Sequence, residues 1–460
     1  MNAPKDGSAG AGIDEKSARK AFDRLPAING YPETFSLFPG DVLNLRVARK
    51  PHASPGAGPF VVERIEIRDA VSNKTLSIGK IPPTRIFEET PASYRDGGAG
   101  YTGRIEITTD DLPAGIHECV VIDNTGTKSG EIHFNLKPRN FDGTDVLCVL
   151  PTHTWQAYNR IAGGSFYTSR LGAIRTVSSQ RPMSRKRDNY IASAFPFLAA
   201  FEEAGIRAAC IDSSDLHHGR LPRGRMPVMA LLTHDEYWSD AMRAKVDRFL
   251  TQGGSLLVMA GNVCWWRIEV DGDNISVRKG GQQKRSHWHT GNAPEETTFV
   301  SSFRFGGYPV ELARENTELA DHVAALSDED LERSRALQVV APDHPVFRGV
   351  VLGPDGQFGA EVPIMYREID GVPLNEDGTV DRRLYRADSI VPQILATGLA
   401  VSNLGRAGLR RAGVVVEADV GGGHVLHMGT FGWSRGLAQK NEAVKRIVLN
   451  AYRHCRERAG

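Results

Sequence analysis

Long apolar runs are what this sequence most plainly lacks: no uncharged stretch is long enough to cross a bilayer, so a membrane span is not expected. The first residues, Met1 to Ser8, have no apolar signal core, which points to a cytoplasmic protein. Cysteine is scarce and odd in number: Cys119, Cys148, Cys210, Cys264 and Cys455 are scattered, mostly within apolar runs, so they read as buried free thiols rather than a secreted disulfide framework. Charge of either sign is not in excess. The net charge is +1 at pH 7 and no basic stripe is interleaved with aromatics, although Lys and Arg cluster at 181–187 and 278–285; nucleic acid is therefore not an expected partner. No Gly-x-Ser-x-Gly elbow occurs, which argues against a serine hydrolase of the α/β-hydrolase type.

What remains is an ordinary globular composition spread over 460 residues, more than one core usually spans, so two domains are expected. Residues 1–28, rich in Gly, Ala, Ser and Lys, read as a flexible leader. From 29 to 139 come short alternating runs (34–37, 41–47, 60–67, 101–107, 116–122 and 131–136). Turn residues such as Pro39-Gly40-Asp41 and Asp123-Asn124-Thr125-Gly126 separate them, as in an immunoglobulin-like antiparallel sandwich.

The period changes at 140. Asp145 to Leu150 is a continuous apolar run of the kind a two-sided parallel strand requires. A helix (192–204), a strand (207–211), a strand (227–232), a helix (240–252) and a strand (255–259) follow. This alternation predicts a doubly wound α/β domain over 140–460, with further strands at 414–418 and 424–428 and a terminal helix at 439–456. Residues 267–310 read as irregular, 313–333 as polar helical material, and Gly421-Gly422-Gly423 as a hairpin turn.

Ligands of such sheets bind beyond the carboxyl ends of the strands, where the loops converge. Three predicted loops carry polar and aromatic groups to that edge: Thr152 to Asn159, Thr233 to Trp238, and Ala260 to Trp266. Tyr158, His234 and Glu236 suit either metal ligation or acid/base work, and spacing does not choose between them. Trp155, Tyr237, Trp265 and Trp266 suit a small apolar wall or core packing. His217-His218 and His287-Trp288-His289 read as solvated loop histidines. The position after the third strand, where a class I amidotransferase places its cysteine, is occupied by His234-Asp235-Glu236.

Several words together resemble a known family, the large (β) subunit of N,N-dimethylformamidase and its relatives, from about residue 112 onward. They are Thr154 to Asn159, Gly163 to Tyr167, Gln180-Arg181-Pro182, Thr233 to Ser239, Gly261-Asn262, Trp266-Arg267, His344 to Gly349 and Glu368-Ile369-Asp370. The resemblance implies a class I glutamine-amidotransferase-like domain beside an immunoglobulin-like sandwich, with mononuclear iron(III) held by two tyrosines and a glutamate at the junction. Tyr158 looks like the second tyrosine ligand and Glu236 like the carboxylate. Where the family's first tyrosine would stand, in a turn late in the sandwich, this sequence has His117. Imidazole in that place leaves Fe3+, Fe2+ and zinc open. By the same resemblance Glu368 is the general base, His234 stands beside the carboxylate ligand, Asn262 supports an oxyanion, Lys279 faces the substrate, and Asp370 backs the site. The expected function is metal-dependent hydrolysis of an amide C–N bond in a small molecule, by a homo-oligomer with room for a small partner subunit. The rival readings are an oxygenase-type mononuclear iron enzyme and a non-catalytic ligand-binding protein.

Overall fold

The structure is a computed structural model. It describes residues 22–51, 59–90, 98–161, 164–167, 176–183, 191–225, 228–277, 287–315, 319–402 and 408–459. Most of the expected leader lies outside these residues, and where description begins Leu25 is already buried.

The N-terminal part is built from two antiparallel-rich sheets. One has the strand order Ile28–Pro32, Val42–Arg49, Gly103–Thr108; the other runs Ser36–Leu37, Ile132–Leu136, Gly115–Asp123, Phe60–Asp69, Thr75–Gly79, and Arg85–Ile86 pairs with Phe60–Asp69. Alternation explains why they stack. Leu43, Leu45 and Val47 point from the first sheet into the same core as Ile65, Ile67, Val121 and Phe134 of the second. The sequence periods miss Ile28–Pro32 and Thr75–Gly79, the latter nearly all exposed and therefore without an apolar face to read.

The larger part centres on an eleven-stranded sheet. Its parallel portion has the order Ala208–Asp212, Val146–Leu150, Val228–Leu232, Ser255–Met259, Gly423–His427. Alternate residues of the first strand feed opposite faces: Val146, Cys148 and Leu150 pack with the helices Phe195–Glu203 and Glu442–Arg458, and Leu147 and Val149 pack with Asp240–Thr251. Both faces are covered, which is why the strand reads as unbroken apolar sequence. Beyond Gly423–His427 the sheet turns antiparallel through Gly408–Val420, Ile369–Pro373, Ser302–Pro309 and Gln393–Ser402. The class is therefore mixed α/β.

Two expectations need correcting. Residues 267–310 are not irregular throughout: Trp266–Asp271 and Asn274–Val277 form a hairpin, and Ser302–Pro309 joins the large sheet. Within this span a strand pattern rich in Glu, Asp and Asn hides the pairing. His217 and His218 are not loop residues but end a short helix, Ser213–His218, whose capping box is formed by Asp212 and Asp215. All five cysteines are buried and free, and no helix among the described residues is long and apolar enough to cross a membrane.

Candidate metal and acid/base site

The chain leaves Val146–Leu150 toward one side of the parallel sheet and later enters Val228–Leu232 on the other. Between these two strands the order reverses, and the loops that follow them diverge to open a crevice. The first loop is the helix Thr152–Tyr158; the second contains His234 and Glu236. Thr154 ties them together: its Oγ1 accepts the backbone N–H of Glu236 at 3.0 Å and of Tyr237 at 3.2 Å. The second loop is also pinned by Cys264 N–H on Asp235 O and Trp266 N–H on Glu236 O. Thr233, directly after the strand, takes φ of +69°, a left-handed conformation that turns His234 back over the sheet edge.

At the centre is Glu236, which is 3% exposed. Its Oε2 accepts from the Tyr158 hydroxyl at 2.7 Å, and both its oxygens lie 3.1 Å from the Tyr167 hydroxyl. The Tyr158 and Tyr167 rings stack at 4.5 Å, and the Tyr237 hydroxyl donates to that of Tyr167 at 2.6 Å. Tyr167 as a whole residue is 40% exposed, while its hydroxyl meets Glu236. On the other side, His234 Nε2 is 3.3 Å from both Glu236 Oε2 and the Tyr158 hydroxyl, and its Nδ1 is 3.2 Å from Glu368 Oε2 and from Gly261 O.

The electrostatics follow from this crowding. Burial and the neighbouring Glu236 carboxylate raise all three phenols well above their usual range. Burial disfavours the charged form of His234, but Glu368 and Glu236 outweigh it and bring the imidazole up to about 9. Burial likewise lifts Glu368 to about 7, against the opposing pull of His234. Asn262, held at φ +54°, hydrogen-bonds Glu368, and its own Oδ1 is buried without a partner. Asp370 fixes that turn by accepting Asn262 N–H at 2.8 Å and Val263 N–H at 3.0 Å, and is itself met by His427 Nε2 at 3.1 Å.

Thus Tyr158, His234, Glu236, Glu368 and Asn262 are brought together, with Asp370 behind them. His117 is not placed with them. It is fully buried inside the sandwich, its Nε2 on the Pro113 carbonyl at 2.8 Å and its ring on Phe134. Lys279 lies outside the described residues. Sequence reading gives no role to Tyr167, although it ends one of the family words; its signal was that position. Arg181, from another such word, is wholly buried and donates to Gln156 O, Ile161 O and Gly164 O, which fixes the chain that delivers Tyr167.

A cavity of about 880 Å³ opens beside Tyr158, between Tyr31, Phe35 and His133 of the N-terminal part and Trp155 and Asp212 of the larger part. Of the expected aromatic wall only Trp155 lines it; Tyr237 is in the core, Trp265 packs on Phe303 and His289, and Trp266 packs on His287. Separately, His344, Glu417 and His454 form a group spaced to hold a metal ion.

Fold and site define a mixed α/β protein with a buried group of phenol, carboxylate and imidazole donors at the carboxyl edge of its parallel strands. The chain belongs to the N,N-dimethylformamidase beta subunit-like, C-terminal family, whose model matches residues 88–445. No match is found among curated proteins. The Pseudomonas fluorescens alkylpurine DNA glycosylase AlkC, bound to DNA containing an abasic site analog, is 18% identical over 24% of this chain and 30% of its own, with a TM-score of 0.18. A Paenibacillus sp. cycloisomaltooligosaccharide glucanotransferase is 10% identical over 29% of this chain and 19% of its own, also at 0.18.

Proposed function

We propose that this protein is a metal-dependent hydrolase of a small-molecule amide, and that Tyr158, Tyr167 and Glu236 hold its ion. The observation that carries the reading is that one buried carboxylate meets two phenol hydroxyls, at 2.7 Å and 3.1 Å. Deprotonated, these three hard oxygen donors carry three negative charges, which suits iron(III) better than zinc. The raised phenols fit the same picture, because a buried tyrosine beside a carboxylate loses its proton only to a strong cation. Tyr167 thereby supplies the second phenol that the sequence comparison assigned to the position of His117.

When bound, the ion would polarise the substrate carbonyl and lower the pKa of water. The chain's own groups then divide the remaining work. Glu368, brought by burial close to neutrality, takes the proton of the attacking water, and His234, kept protonated between the two carboxylates, holds Glu368 and Glu236 in place. The departing amine takes its proton back from Glu368. Asn262, whose amide hydrogen-bonds Glu368, would support the developing oxyanion with its remaining amide N–H. A cavity in the size range of small-molecule sites is lined by Tyr158 but not by Glu236, His234 or Glu368, so it would serve as an approach to the ion rather than as the reaction chamber itself. The family and the reversed strand order favour the finer reading of an amidotransferase-like domain beside an immunoglobulin-like sandwich. Amine release from a panel of small amides tests the activity: Glu368→Gln should lower kcat by about 10²- to 10⁴-fold with metal content unchanged. Undiminished turnover in that variant would remove Glu368 from the mechanism.

A further inference from the structure

We propose a second metal site, structural rather than catalytic, for a divalent cation of the zinc class, held by His344, Glu417 and His454. Three separate segments supply it: the turn Pro345–Phe347, which His344 caps, the strand Gly408–Val420 and the terminal helix Glu442–Arg458. His344 Nε2 is 3.2 Å from Glu417 Oε1 and His454 Nε2 is 2.7 Å from Glu417 Oε2. One ligand atom from each of the three residues lies within 4.8 Å of the others, against roughly 3.3 Å between ligands of a zinc ion at ~2.05 Å, so small side-chain shifts would complete the site. The side chains of the three are 8%, 13% and 11% exposed, enough for an ion to enter and water to take the fourth position.

A fourth residue supports the carboxylate. His424 Nε2 lies 3.1 Å from Glu417 Oε2, and its Nδ1 lies 3.2 Å from Ser255 Oγ, a hydrogen-bonded chain of the kind that orients metal-bound carboxylates. Ser255 opens the strand whose far end leads to Asn262, so the cluster is at the opposite edge of the sheet from Glu236, about 17 Å of strand away. Binding has one identifiable cost. His344 Nδ1 accepts Val346 N–H at 3.3 Å, which places the proton on Nε2 in the free protein; ligation through Nε2 gives up that long bond. In return the ion cross-links the last helix and the 344 turn to the sheet, stabilising the folded chain by mass action.

The test is dialysis of the full chain against zinc, with metal analysis and thermal melting, wild type beside His454→Ala. The expected result is one more equivalent of zinc in wild type than in the variant, and a zinc-dependent rise in Tm of several degrees that the variant lacks. Cobalt(II) should give the intense visible absorption of a tetrahedral site in wild type only. If His454→Ala does not fold, His344→Ala, in a surface turn, reads the same difference. Equal zinc content and equal melting shifts in wild type and variant would overturn the site and leave Glu417 as a carboxylate clamped by imidazoles alone.

Discussion

Glu236 is met by two phenols and by the basic imidazole of His234. The two phenols meet Glu236 through hydrogen bonds, while His234, raised to about 9 by Glu368 and Glu236, adds an ionic contact. Tyr158→Phe and Tyr167→Phe should therefore alter unfolding free energy by no more than about 1.5 kcal/mol, while each weakens metal retention. Tyr158, Glu236, His234 and Asn262 were legible in the sequence because three loops after parallel strands carry polar and aromatic groups to one edge and the family words fall on them. Tyr167 was not: it lies nine residues past Tyr158, and only the path imposed by Arg181 carries it back to Glu236. The resemblance places the family's first tyrosine in a turn late in the sandwich, and the expected ligand role of His117 came from its standing in that turn. Its buried bond to the Pro113 carbonyl is a local sandwich feature with no sequence signature.

At the scale of elements, the site depends on how two loops are fastened. Arg181 is buried, with burial bringing its guanidinium down to about 9, and it satisfies carbonyls at both ends of the segment leading to Tyr167. Arg181→Met should cost about 3–5 kcal/mol in urea unfolding, since buried acceptors lose a charged partner, and should also release Tyr167 from Glu236. Asp370 does the same for the turn bearing Asn262; Asp370→Ala leaves two buried N–H groups and His427 without their acceptor, at an expected cost of about 2–5 kcal/mol. Strand and helix positions in the parallel part were legible to within a few residues, because strands covered on both faces read as unbroken apolar runs. The antiparallel extension was not, since Ile369–Pro373 and Gln393–Ser402 pair with partners far along the chain.

For the whole molecule, the two parts are joined by a buried ion pair, Lys137 Nζ to Asp215 Oδ1 at 2.5 Å, and by Asn135 Nδ2 on Cys210 O at 2.8 Å. A buried acidic pair also sets a pH dependence. Burial, and then the neighbouring Glu296, lifts the Glu295 carboxyl from 4.5 to about 8. The folded state thus keeps a proton that the unfolded chain releases, and stability should fall as pH rises from about 4.5 to about 8. Glu295→Gln should flatten that slope in unfolding measurements across the window; an unchanged slope would mean that Glu295 is ionised when folded. The account as a whole rests on the ion at Glu236. Its most direct test is metal analysis with the visible spectrum of purified wild type, Tyr158→Phe, Tyr167→Phe and His117→Gln. The account predicts near-stoichiometric iron and a phenolate-to-iron band that is weakened and shifted in both tyrosine variants and kept in His117→Gln. No bound metal even after reconstitution with iron, or a band that disappears with His117 and survives loss of Tyr167, would contradict it.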